Sequence, residues 1–106
     1  MINYEWHLHN VDIRYLPDTQ EAQLIEIHWG CRATDTDTDE TVSGAGSINV
    51  EDENYIYPAA TVKTVTRSQI FQFLNNKLGD ERAEIEANFA QQLAARSLKD
   101  SFVPTD

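Results

Sequence analysis

From Ile2 to Leu8 the chain alternates strictly, with Ile2, Tyr4, Trp6 and Leu8 pointing one way and Asn3, Glu5, His7 and His9 the other. A period of two predicts a half-buried strand. Val11, Ile13 and Tyr15 are apolar at odd positions, so the apolar face flips near Asn10. One extra residue there, a β-bulge, keeps both sets on one side of the sheet. The stretch "LPDTQEA" carries Pro and Asp turn chemistry, and beyond it Ile25, Ile27, Trp29, Cys31 and Ala33 alternate with polar or small residues. A long hairpin follows. Setting Trp29 opposite Leu8 places Trp6 opposite Cys31 on the buried face, and Glu5 opposite Arg32 and His9 opposite His28 on the other.

The third strand reads "TVSGAGSINV", with Val42, Gly44, Gly46, Ile48 and Val50 on one face. A symmetric turn from the second strand brings Ala33 to Val42 and Gly46 to Trp29. Glycine weakens a strand interior, and a physical reason to keep it there is room for a neighbouring indole or a closely packed helix. After Val50, "EDEN" and "YIYP" read as an irregular crossing, and "TVKTV" as a short extended piece.

Helical punctuation comes next. Thr66 and Gln69 have the form of a capping box, and Ile70, Phe73, Leu74 and Leu78 make an apolar stripe that stops at Gly79. Asp80 can cap a second helix, with Glu81 and Glu84 in its first turn, Ile85, Phe89, Leu93 and Leu98 as its stripe, and Arg96 and Lys99 in its last turn. The expected fold is α+β: a three-stranded antiparallel β-meander with a C-terminal α-hairpin packed on one sheet face. Strands are expected over 2–15, 22–34 and 41–50 and helices over 67–78 and 81–98, in one domain spanning 1–100 with a tail over 101–106.

A length of 106 residues suits one such domain. Composition mainly narrows the partners. With a net charge of −10 and basic residues scattered along the chain, direct contact with nucleic acid or an anionic membrane is not expected. Residues 35 to 53 carry seven acids and no base, so this stretch is the negative pole. The N-terminal "MINYEWHLHN" lacks the basic and apolar regions of a signal peptide, and no segment has the apolar length of a membrane span.

Candidate chemistry is sparse. "DTDTDE" opens like a calcium loop, but the sixth and twelfth positions, which need Gly and Glu, hold Glu40 and Gly46, so Asp35 to Glu40 read as a strand connection. His7, His9 and His28 share the polar sheet face and have the chemistry zinc accepts, yet nothing in the sequence fixes their geometry, and three exposed histidines are the simpler reading. Cys31 is a lone cysteine whose parity places it on the apolar face, as a packed thiol rather than a nucleophile. No nucleophile elbow, phosphate loop or HExxH motif is present. No catalytic, cofactor-binding or metal-binding residue is therefore assigned. The residues left as candidates for partner binding are Tyr55, Ile56 and Tyr57 in the aromatic crossing, which could equally seal the core, and His7, His9, His28 and Arg32 on the polar sheet face. Two sheet edges remain open to a neighbouring chain.

The opening "YEWHL", the block "HWGCRATD" from His28 to Asp35, the glycine-containing third strand and "ANFAQQLA" from Ala87 to Ala94 resemble a group of small proteins encoded by tailed bacteriophages, including those of cyanobacteria. The likeness covers nearly the whole chain in order and spacing, and departs from it in the longer acidic connections at Asp35 to Glu40 and Glu51 to Glu53. It implies a phage origin. Some of these proteins are described as virion-structural, so the resemblance implies a virion location after synthesis in the host cytoplasm, but it transfers no site residue. The expected function is a non-enzymatic accessory, decoration or tail-associated subunit that contacts other phage structural proteins or itself. The alternative is an acidic non-virion protein that binds a basic host protein as a nucleic-acid mimic.

Overall fold

In the computed structural model, which describes residues 1–98 and 102–105 with the side chains of 96–98 excepted, two strands of equal length dominate the molecule. They are β1 (Ile2–Leu16) and β2 (Glu21–Asp35), each 15 residues, or about 50 Å of extended chain. A four-residue turn joins them, closed by a hydrogen bond from the Thr19 amide to the Leu16 carbonyl, with Gln20 in the left-handed region at φ 56°. β3 (Thr41–Asn49) lies antiparallel on the other side of β2, so the order is β1-β2-β3 and the expected meander is present.

The register follows the side-chain pattern through most of its length. Leu8 faces Trp29, Trp6 faces Cys31 and Glu5 faces Arg32; across the second interface Trp29 faces Gly46 and Ala33 faces Val42. A register shift between Leu8 and Asn10 supplies the expected bulge, but the extra residue is His9, so His28 faces Asn10 rather than His9. A second shift, between Asp12 and Ile13, leaves Ile25 as the extra residue on β2 and turns Leu24 into the core in its place. Ile25, expected on the core side with Ile27, is only half-buried.

Two segments form other structures than the pattern suggests. Glu51–Glu53 is a turn of 3-10 helix, after which Ile56–Pro58 forms a short strand, β4, antiparallel to Glu21–Gln23. β4 completes the edge of β2 beyond the end of β3, satisfying backbone groups that an irregular crossing leaves open. "TVKTV" is not extended: Val62–Thr64 is a second 3-10 turn. Three-residue elements lie below the length at which periodicity separates strand from helix.

The helices have the expected bounds, α1 at Arg67–Leu78 and α2 at Glu81–Leu98. The Thr66 hydroxyl accepts from the Gln69 amide, and Gly79, at φ 51°, donates its amide to Asn75, ending α1 where a residue with a side chain is strained. Arg96 and Leu98 side chains and Lys99, expected in the last turn, lie outside the described residues. Both helices cover the inner sheet face, where Ile27, Cys31, Ala33, Val42, Leu74 and Leu93 are buried to 4% exposure or less. Tyr4 ties the open end of the hairpin to α2 by donating its hydroxyl to the Glu86 carbonyl, and the Arg82 guanidinium stacks 5.1 Å over Trp6. No helix among the described residues is long and apolar enough to cross a membrane.

Candidate functional site

The residues predicted to bind partners fall into three places. Tyr55 stacks on Phe73 of α1 with ring centroids 3.8 Å apart, and its carbonyl accepts from the Leu24 amide. Tyr57 packs against the same core, whereas Ile56, the next residue on the strand, is exposed. The aromatic crossing mainly seals the core. His7, His9 and Arg32 surround a shallow depression on the outer sheet face, floored by Gly30. The His9 ring lies over Gly30 so closely that a β-carbon there would stand 2.6 Å from its Nε2. Arg32 donates to Glu5 at 2.7 Å, and this bond holds the Glu5 carboxyl below its usual range.

His28 belongs to a different group. Because His9 bulges out, Asn10, Asp12, Glu26 and His28 occupy one continuous patch of the outer face, with Asp12 directly opposite Glu26. His28 Nε2 lies 2.7 Å from Asp12 Oδ2, and that hydrogen bond raises the imidazole above its ordinary pKa. The ligand atoms of Asp12, Glu26 and His28 all lie within 4.8 Å of one another, the one such convergence of three metal-ligating side chains among the described residues. The three histidines weighed together in the sequence are thus parted: His7 and His9 border the depression over Gly30, and His28 stands with Asp12 and Glu26. Asp12 and Glu26 escape a reading that pairs His28 with His9; placing the bulge one residue earlier brings them in.

The acidic turn folds on itself rather than opening toward an ion. Asp35 donates its amide to the Glu40 carbonyl and accepts the Asp37 amide on Oδ1, Asp39 adopts φ 59°, and the N-terminal ammonium sits 3.0 Å from Asp37 Oδ2. At the other acidic run, Lys77 reaches Asp52 at 2.7 Å and Glu53 at 3.2 Å, and Arg14 reaches Glu51 at 2.6 Å.

Cys31 is buried at 1% exposure between β1 and β3, and burial pushes its thiol up to about 11, with Glu86 adding to the rise. A thiol in that range holds almost no thiolate at neutral pH. Ellman's reagent is expected to leave Cys31 unmodified in the native protein and to titrate one thiol in denaturant; rapid native labelling would place it at the surface. An apolar cleft of about 380 Å³, lined by Val11, Ile13, Leu24, Val62, Val65 and Ile70 with Lys63 at its side, opens between the inner sheet face and the start of α1. Its residues come from four separate segments, so no local motif announces it.

No curated protein and no solved structure matches the chain. A family model does: residues 1–102 match the domain of unknown function DUF7936, and the chain belongs to that family.

Proposed function

We propose that this protein is a non-enzymatic assembly subunit acting through protein–protein contacts, a small virion-associated component of a tailed bacteriophage. The observation that carries the contact is the free edge of β1. Among the described residues this strand has a neighbour on one side only, and its inward side chains Tyr4, Trp6, Leu8, Val11 and Ile13 all stay half-exposed while their partners on β2 are buried. The core is thus open along one long edge, the arrangement in which a neighbouring strand both completes the hydrogen bonding and covers apolar surface.

The side-chain order on β1 suits a second copy. The bulge at His9 reverses the alternation midway, so an antiparallel pair centred between His9 and Asn10 sets Leu8 against Val11 and Trp6 against Ile13 on the inner face. On the outer face it sets Glu5 against Arg14 and His7 against Asp12. The pattern reads alike in both directions, as an isologous contact requires. The phage context rests on the resemblance of the "YEWHL", "HWGCRATD" and "ANFAQQLA" segments to tailed-phage proteins.

Nucleic-acid mimicry draws less support, since Glu51, Asp52 and Glu53 are engaged by Arg14 and Lys77 and lie a strand length, about 30 Å, from the other acidic run.

Light scattering after gel filtration is expected to give a dimer at tens of micromolar, a monomer for Arg14→Glu, and recovery of the dimer in Glu5→Arg/Arg14→Glu. A wild-type monomer at all accessible concentrations would end the edge-pairing reading. Mass spectrometry of gradient-purified particles tests the virion assignment: stoichiometric presence supports it, and absence refutes it.

A further inference from the structure

We infer that Asp12, Glu26 and His28 form a binding site for a divalent transition-metal ion of the zinc class on the outer face of the sheet. Three features point to it independently of the assembly reading. First, the chemistry fits: two carboxylate oxygens and an imidazole nitrogen within 4.8 Å of one another make a three-ligand set of the kind zinc takes, with a fourth position open to solvent. Bonds of about 2.0–2.1 Å place tetrahedral ligands about 3.3 Å apart. The present spacing, 2.7 Å from His28 to Asp12 and no more than 4.8 Å for any pair, brackets that value, so small side-chain rotations close the shell.

Second, Asp12 and Glu26 are direct cross-strand partners. Like charges in that position repel and destabilise the pair. Arg14 is engaged with Glu51, which leaves the His28 imidazole, hydrogen-bonded to Asp12 at 2.7 Å and also under the charge of Glu26, as the group that offsets the two carboxylates. A cation between the two carboxylates converts this repulsion into attraction. Third, the two register shifts bracket the block that carries all three ligands: His9 is the extra residue before Asn10, and Ile25 the extra residue before Glu26. Bulges re-aim side chains and are enriched beside functional sites. Asn10 supplies outer support, donating to Asp12 Oδ1 at 3.2 Å and leaving Oδ2 directed at His28.

The test is calorimetric titration of Zn²⁺ into chelator-treated protein, repeated with Glu26→Gln, His28→Gln, Asn10→Ala and, as a control in the acidic turn, Asp37→Asn. One ion per chain is expected, with affinity reduced by about 10-fold in Asn10→Ala, the range for supporting groups, and further in Glu26→Gln and His28→Gln. Asp37→Asn should bind as the wild type does. All four positions are on the surface, and circular dichroism checks that each variant is folded. Absence of saturable heat overturns the site and leaves His28 and Asp12 as a surface ion pair. Binding that survives both Glu26→Gln and His28→Gln, or that Mg²⁺ reproduces equally, overturns it as well.

Discussion

Gly46→Val is expected to destabilise the domain by about 3 kcal/mol, near the upper end of overpacking costs, and to lower Tm by about 10–20 °C for a domain of this size. A β-carbon on Gly46 would stand 2.6 Å from Trp29 Cζ2 and 3.0 Å from its Cε2. The indole has little freedom to yield. Trp29 is 8% exposed, packs against Trp6 with centroids 5.0 Å apart, and sits in the middle of β2 between two paired strands. Valine suits a strand better than glycine by up to about 1 kcal/mol, so β-propensity alone raises stability. The two contributions have opposite signs, and thermal melting decides between them. A Tm equal to or above that of the wild type would mean that Trp29 does not lie across Gly46. Smaller side chains at position 29 should recover part of the loss, since the clash is with the ring.

Phe89→Ala is expected to cost about 3–5 kcal/mol, the range for deleting a buried aromatic ring. Phe89, 8% exposed on α2, reaches down to Gly44, where a β-carbon would meet its Cζ at 3.1 Å. The missing side chain at Gly44 therefore lets the helix hairpin settle on the sheet. Coupling follows from this contact. Gly44→Ala alone should be mildly destabilising because Phe89 must shift by a few tenths of an ångström, whereas in the Phe89→Ala background the added methyl enters the vacated space and should be neutral or stabilising. A double-mutant cycle by chemical denaturation measures the difference. Strict additivity would mean that α2 docks elsewhere. The same cycle separates the two strand glycines, for Gly46 accommodates a ring from its own sheet and Gly44 one from the helix layer.

Both results bear on why the sheet was readable. Three strands, the β2–β3 register, the β1–β2 register up to Leu8 and both helix spans follow from alternation, turn chemistry and capping residues, because each is a local signal repeated over many residues. Trp29 against Gly46 and Cys31 between Trp6 and Gly44 required only that the faces agree. The outer-face chemistry was less accessible. A single-residue difference in where the β1 bulge falls decides whether His28 meets His9 or Asn10, and alternation constrains that position only to the polar run between Leu8 and Val11. The β2 bulge was invisible, since Leu24 and Ile25 are both apolar and either could face inward.

What the sequence by itself determined is the class of the fold, the order and length of its long elements, and most of the side chains that fill its core. Periodicity encodes these because burying one face of each element dominates the free energy of folding. The tertiary structure alone decided that Ile56–Pro58 completes the edge of β2, that Glu51 to Glu53 turn back onto Arg14 and Lys77, and that Asp12, Glu26 and His28 converge. Those outcomes depend on contacts between residues far apart in the chain and on the placement of single extra residues, neither of which leaves a period to read.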